Sequence, residues 1–254
     1  MLLKDKIAVV YGAGGKIGGA AARAFAREGA KVYLAGRTLD KVEAVAREIT
    51  QEDGEAEAAA VDALDREAIE HHMEQIASRS GRIDISFNAI GIRGDLQGTP
   101  LLEMACENFA LPVLTGVQTY FLTATAAARY MVRQRSGVIL TLSTSAASLS
   151  GRDRRYHLTG GFSTACLAIE GFTRSLAGEV GQQGVRVVCL RSDAIPETWD
   201  DQDAPARTYM TDGTALGRLP TLREVADAAV LMASDRASAI TGAIANLTCG
   251  SVMD

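Results

Sequence analysis

Apolar and polar positions along the chain follow two rhythms, and the order in which these succeed one another predicts the fold. Ile7 to Val10 is a short apolar run with β-branched residues, too short for a helix and closed by glycine. An alanine-rich helical stretch follows over Ile17 to Glu28, and Val32 to Ala35 reads as a second strand. The next elements are an exposed helix from Asp40 to Thr50 and a strand from Glu55 to Asp62. Asp65 then caps a helix over Arg66 to Ser78, which carries His71 and His72 on its wet face. Arg82 to Asn88 gives a fourth strand, and Gly91 to Pro100 a loop. A long helical region runs on to Arg133 with an interruption predicted near Pro112. Val138 to Leu142 and Val185 to Leu190 are strands on either side of a helix from Gly160 to Val180. Pro196 to Pro220 is polar and irregular and holds the only tryptophan, Trp199. Thr221 caps a helix to Ser234, and Ala243 to Thr248 makes a last strand. Strands alternating with helices imply an α/β fold, a parallel sheet covered on both faces. With no repeat, linker or low-complexity tract, residues 1–254 are expected to form one domain.

The first strand–helix junction carries the chemistry. Gly12, Gly14, Gly15 and Gly18 fall where the strand turns into the helix. A Cβ there would block the tight turn and the approach of backbone N–H groups to a diphosphate. The helix N-terminus offers unpaired N–H groups and a positive dipole end to the same anion. A glycine run alone matches many ordinary turns, but here strand, helix and second strand stand in the required order. The stretch from Lys6 to Arg37 therefore predicts dinucleotide binding.

Composition narrows the class of protein. A length of 254 residues suits one large α/β domain with a real core. A net charge of −5 argues against a general nucleic-acid binder. No apolar run approaches membrane-spanning length, and MLLKDKIAVV leads straight into the first strand, so a cytoplasmic protein without membrane partners is expected. Cys106, Cys166, Cys189 and Cys249 are scattered without ligand spacing and are expected as reduced thiols. With His71, His72 and His157 as the only histidines, no His-based metal site is expected.

Five segments carry a family resemblance: YGAGGKIGGA, AAVDALD around Asp62, FNAIG at Phe87 to Gly91, IEGFTRSLAGEVGQQGVRVV from Ile169, and LGRLPTLREVADAAVLMASDRASAITGAIANL from Leu216. Over nearly its whole length the chain resembles the short-chain dehydrogenase/reductase family. The resemblance implies a Rossmann-type doubly wound parallel sheet of about seven strands, with a nicotinamide dinucleotide across the strand C-terminal ends. It also implies a substrate lid at 196–220, a small-molecule substrate and a homo-oligomer, tetramer or dimer. Cofactor contacts are implied at Gly12, Gly14, Gly15, Lys16, Ile17, Gly18, Asp62, Ala63, Asn88, Ala89 and Gly91. Lys16 replaces the middle family glycine, and two readings of it stand: a side chain reaching a phosphate, and an exposed first-turn lysine. At the end of the second strand, Gly36-Arg37 replaces the acidic residue that NAD users carry. Arginine supplies a fork for a 2′-phosphate, so NADP(H) is expected over NAD(H), unless Arg37 is simply a solvated charge.

The resemblance breaks at the catalytic set. Family members use a serine, a tyrosine, a lysine four residues later and an asparagine. Here the tyrosine position is Phe162, the lysine position Cys166, and the asparagine position Gly116, or Val113 in a shifted register. The five lysines all precede residue 42, so no Tyr-x-x-x-Lys exists in the second half. Ser143, Thr144 or Ser145 takes the serine position, and Ser192-Asp193 replaces the usual Pro-Gly. Tyr156 and His157, beside Arg152, Arg154 and Arg155, are candidate substitute acids, with a charged surface loop as the plain alternative. Cys166 reads either as a redox nucleophile or as a small buried residue. Two functions follow: an NADP(H)-dependent oxidoreductase with a non-standard catalytic set, and a non-catalytic dinucleotide-binding protein acting as sensor or partner subunit.

Overall fold

Every predicted strand joins one parallel sheet in the computed structural model, which describes residues 1–153, 155–199 and 204–254. The strands are β1 (Ile7–Tyr11), β2 (Lys31–Gly36), β3 (Ala56–Ala60), β4 (Ile85–Asn88), β5 (Gly137–Thr144), β6 (Val185–Ser192) and β7 (Ile244–Leu247). Their order is β3-β2-β1-β4-β5-β6-β7. From β1 the chain winds outward to β3, then returns to lay β4 on the other side of β1. The connections therefore diverge at the β1/β4 boundary and leave a crevice beyond the strand C-terminal ends.

Side-chain alternation along β1 shows how the two faces are filled. Ala8 and Val10 join the core under α1 (Lys16–Arg27), α2 (Leu39–Gln51) and α8 (Leu222–Ala233), with Phe25, Val42 and Val230. Val9 and Tyr11 face α3 (Arg66–Ser80), α4 (Cys106–Gln134) and α6 (Gly160–Val180), with Met73, Ala127 and Leu176. Tyr11 is level with Ala35 on β2 and Asn88 on β4, so the three central strands end together. Two shorter helices, α5 (Ala146–Leu149) and α7 (Ala204–Asp212), follow β5 and β6 in the chain.

Four expectations are corrected. The helix after β2 is not wholly exposed: Val42, Val45 and Ile49 recur at helical spacing and bury one face. His72 is buried rather than wet, edge-on to Tyr11 at 6.1 Å, while His71 stays out beside Gln75. The helix through Pro112 is not interrupted. Proline near an N-terminus forfeits only one backbone bond, and its ring packs at Gly161 of α6. The segment 196–220 is not irregular throughout, since it contains a 3₁₀ turn at Pro196–Thr198 and the helix α7. Among the described residues no helix is long and apolar enough to cross a membrane.

Candidate functional site

The crevice is built first by glycines. Gly12 leaves β1 with φ +76°, and a Cβ on it would lie 2.8 Å from the Ala89 carbonyl oxygen, so only glycine fits both the turn and the approach of β4. Gly18 packs α1 onto the Gly12 carbonyl, where any Cβ would collide. Above this turn lies a cavity of about 410 Å³. Of the predicted cofactor residues, Gly12, Gly14, Gly15, Arg37, Asp62, Ala63, Ala89 and Gly91 line it.

Lys16, Ile17, Gly18 and Asn88 do not line this cavity. Asn88 braces its floor instead: the side-chain amide donates to Thr123 Oγ1 at 2.9 Å, and its oxygen accepts from the Ile90 N–H at 2.9 Å. Ile17 lines a second cavity, and the Lys16 ammonium donates to the Glu197 carbonyl at 2.7 Å. The sequence reading missed Thr38, Lys41, Arg93, Thr115 and Thr119, which also line the groove. Lys41, in the first turn of α2, was the readable one: a second cation four residues after Arg37, lining the same groove. Asp62 is the only acidic side chain in the lining, against three cations, Arg37, Lys41 and Arg93.

The second cavity, about 270 Å³, opens beside Phe162, the residue at the expected tyrosine position. Thr144, Tyr156, His157, Phe162 and Trp199 line it. Ser143 does not, which removes it as a catalytic candidate. Strand alternation turns Ser143 toward α6, as it does Thr141, and the Ser143 hydroxyl donates to the buried Glu170 carboxylate at 2.8 Å. Thr144, the last residue of β5, holds the serine place at the cleft, with Cys166 Sγ 3.5 Å from its hydroxyl. Ser145 is buried, its hydroxyl donating to Asp193 at 2.8 Å. Cys166 is fully buried, and burial pushes its thiol up, which removes the thiolate a redox nucleophile needs. Phe162 presents a ring without a hydroxyl, and Gly116 lines the first cavity, not the second.

The predicted loop splits in character. Arg152 and Arg155 are exposed, Arg155 paired with Asp153 at 2.9 Å; Arg154 falls outside the described residues. Tyr156 stacks on Tyr209 of α7 with ring centres 4.4 Å apart, and the Arg155 guanidinium sits 5.5 Å from its ring. His157 is buried, and its Nδ1 has no partner among the described residues. Burial, with a smaller contribution from Arg152, holds the imidazole below its usual range, so it is neutral at pH 7. His157 and Asp193 also wall a third cavity of about 200 Å³, beside Arg152 and Tyr209. Asp193 accepts from the Ser145 and Ser251 hydroxyls and the Ala194 N–H. Of the lid proposed at 196–220, residues 200–203 lie outside the described residues; Ile195, Thr198 and Trp199 wall the second cavity.

The chain is similar to known oxidoreductases over nearly its whole length. The family profile described as enoyl-(acyl carrier protein) reductase matches residues 12–251. The chain is 28% identical to a 3-oxoacyl-acyl-carrier-protein reductase of Chlamydia trachomatis, over 98% of each chain. It is 30% identical to meso-2,3-butanediol dehydrogenase of Serratia marcescens, covering 96% of this chain and 93% of that one. A solved short-chain type dehydrogenase/reductase from Mycobacterium marinum superposes with a TM-score of 0.88 at 27% identity, over 99% and 97% of the two chains.

Proposed function

The chain belongs to the short-chain dehydrogenase/reductase family of oxidoreductases, and from that premise we propose an NADP(H)-dependent enzyme acting on a carbonyl or alcohol carbon with a non-standard proton-handling set. The observation that carries the cofactor preference is the corner after β2. Gly36 leaves no carboxylate there, while Arg37, Thr38 and Lys41 line the groove around it. A guanidinium and an ammonium suit a 2′-phosphate, and among the described residues no carboxylate at that corner is there to accept from a 2′-hydroxyl.

The lining of the groove supports a dinucleotide as its ligand. A Cβ on Gly14 would meet Lys41 Cβ at 2.9 Å, and one on Gly12 the Ala89 carbonyl oxygen at 2.8 Å, so glycine at both lets the turn pack closely on α2 and on the end of β4 with its backbone facing the groove. Gly12, Gly14 and Gly15 would border the diphosphate, Asp62 and Ala63 the adenine, and Arg37 with Lys41 the 2′-phosphate. Bound there, the cofactor supplies or takes up hydride. The chain's part is to hold the substrate and its proton, and among the polar groups that line the cleft we assign this to Thr144, Tyr156 and His157. The names of the two relatives above, a 3-oxoacyl reductase and a diol dehydrogenase, support a carbonyl or alcohol as substrate. Exposed Leu114 and Phe121 on α4 and Leu167 on α6 support a second copy as partner, and four free cysteines support a cytoplasmic setting.

The deciding experiment is titration with NADPH and NADH, followed by a panel of carbonyl substrates. NADPH should bind at least about tenfold tighter than NADH, and Arg37→Ala should remove most of that difference. Preference for NADH sinks the assignment of Arg37. Phe162, which brings no hydroxyl to the cleft, favours the second reading, a binding protein without turnover; tight NADPH binding with no oxidation by any carbonyl would establish it.

A further inference from the structure

Lys16 takes the place of a family glycine, and its ammonium is not loose in solvent. Nζ donates to the backbone carbonyl of Glu197 at 2.7 Å. The two ends of this contact belong to different sites. Lys16 is the first residue of α1, after the Gly15 cap, at the helix end where a diphosphate docks. Glu197 sits in the 3₁₀ turn Pro196–Thr198, whose neighbours Ile195 and Trp199 wall the second cavity.

That turn is held from several sides. The Thr198 N–H donates to Ile195 O at 2.8 Å, and the Trp199 N–H to Pro196 O at 3.1 Å. The Glu197 carboxylate accepts from the Leu222 N–H at 3.2 Å, fastening the turn to the start of α8. Against α1, however, the hydrogen bond among the described residues is the lysine's alone. An ammonium has three donors, and the carbonyl takes one. No acidic residue stands in the first turn of α1 to take the others.

We infer that Lys16 is a positioning residue that spans the cofactor's diphosphate and the Glu197 carbonyl, so that an occupied nucleotide groove fixes the 195–199 wall of the substrate cleft. The inference rests on the dinucleotide reading above. The carbonyl offers the ammonium only a dipole, whereas a diphosphate offers full charge and can anchor the side chain from the other end. An anchored Lys16 in turn restrains the turn to which it is bonded. The ligand it requires is a nucleoside diphosphate; a nucleoside monophosphate ends short of the strut.

Trp199, the chain's only tryptophan, lies on the wall in question and reports on it directly. The probe is 2′-phospho-ADP-ribose, the fragment of NADP+ that keeps the diphosphate and lacks the nicotinamide, which would itself quench an indole. Its binding is measured by calorimetry, and acrylamide quenching of Trp199 is measured on the same samples. In the unmodified protein, saturation should reduce the quenching constant by about half. Lys16→Met should bind the probe about tenfold more weakly, and at saturation leave Trp199 as accessible as in the free protein. Lys16→Arg should restore part of the protection, and 2′,5′-ADP should bind without giving it. A Lys16→Met protein that saturates and protects Trp199 as the unmodified protein does would overturn the strut, as would saturation of the unmodified protein with no change at Trp199. Failure of the probe to bind the unmodified protein at all would overturn the dinucleotide reading, and the strut with it.

Discussion

Phe162 keeps the outline of a phenol and omits the hydroxyl, and fully buried Cys166 brings no cation to the cleft. On the oxidoreductase reading proposed above, proton handling falls to the segment before α6. His157 is the better candidate there, because its ring is buried, its Nδ1 is unpartnered among the described residues, and burial keeps it neutral at pH 7. His157→Gln should lower kcat about a hundredfold while leaving NADPH affinity unchanged. Tyr156→Phe keeps the stack on Tyr209 and should cost less than about threefold. Steady-state rates of alcohol oxidation with NADP+, the direction in which a neutral ring serves as base, decide, and an unaffected His157→Gln protein would remove the residue from the mechanism. In the oxidative direction the ring must be unprotonated to accept a proton. With its pKa lowered, activity should hold flat below pH 7 and fall only beneath the ordinary histidine range. At this scale the sequence was legible in residue type and not in orientation. Ser143 and Thr144 look interchangeable as letters, yet one more strand residue turns Ser143 to Glu170 and leaves Thr144 at the cleft.

The junction of α4 and α6 shows what governs at the level of elements. Gly161, at the start of α6, faces the Phe109 carbonyl and the Pro112 ring of α4; a Cβ there would lie 2.8 Å from Pro112 Cγ and closer still to the carbonyl. The two helices meet through this gap, so Pro112 survives inside a 29-residue helix because its ring has a fitted neighbour. Gly161→Ala should therefore cost about 1–3 kcal/mol, seen as a lower urea midpoint with an unchanged m-value. A variant as stable as the parent would mean that the helices part freely there. Elements with strong periodicity were legible: α6 was placed at Gly160 to Val180, with the bounds it has. The helix α7 was not, since APARTYMTD has no apolar stripe and opens between residues outside the described set and a polar loop. The interruption assigned to Pro112 failed for the complementary reason: propensity was read without the partner helix that overrides it.

Across the whole molecule, charges buried between elements tie the sheet to the chain end. Arg191 on β6 and Glu170 on α6 are each almost wholly buried, joined by two bonds of 2.8 and 2.7 Å, and Arg191 also reaches Asp254 at 2.6 Å. Neutralising Glu170 leaves the buried Arg191 with only the half-exposed Asp254, so Glu170→Gln should destabilise by about 3 kcal/mol, read as a lower urea midpoint.

Acid stability is the molecule-wide property that His72 sets. Its imidazole is held down to about 4, chiefly by burial and secondarily by His71, while the unfolded side chain titrates near its ordinary 6.5. Between those values the unfolded chain binds a proton that the folded protein refuses. The stability His72 permits is therefore complete above about pH 6.5 and declines as pH falls toward 4, at about 1.4 kcal/mol per unit. The carboxylates run on a different range. Asp153 and Glu224 are lowered to about 2 by Arg155 and Arg218, so their stabilisation is lost only below their ordinary values near 4. The window from pH 6.5 to 5 is left to the imidazoles, and His72 alone should remove about 2 kcal/mol across it. His157, lowered in the same direction, adds to the slope without reversing it. Urea unfolding at pH 6.5 and 5.0 should show the loss in the parent, and His72→Leu should abolish most of it, while the exposed His71→Gln leaves it largely in place. An unaltered slope in His72→Leu would mean that the ring charges inside the fold at little cost, contrary to its burial against Tyr11.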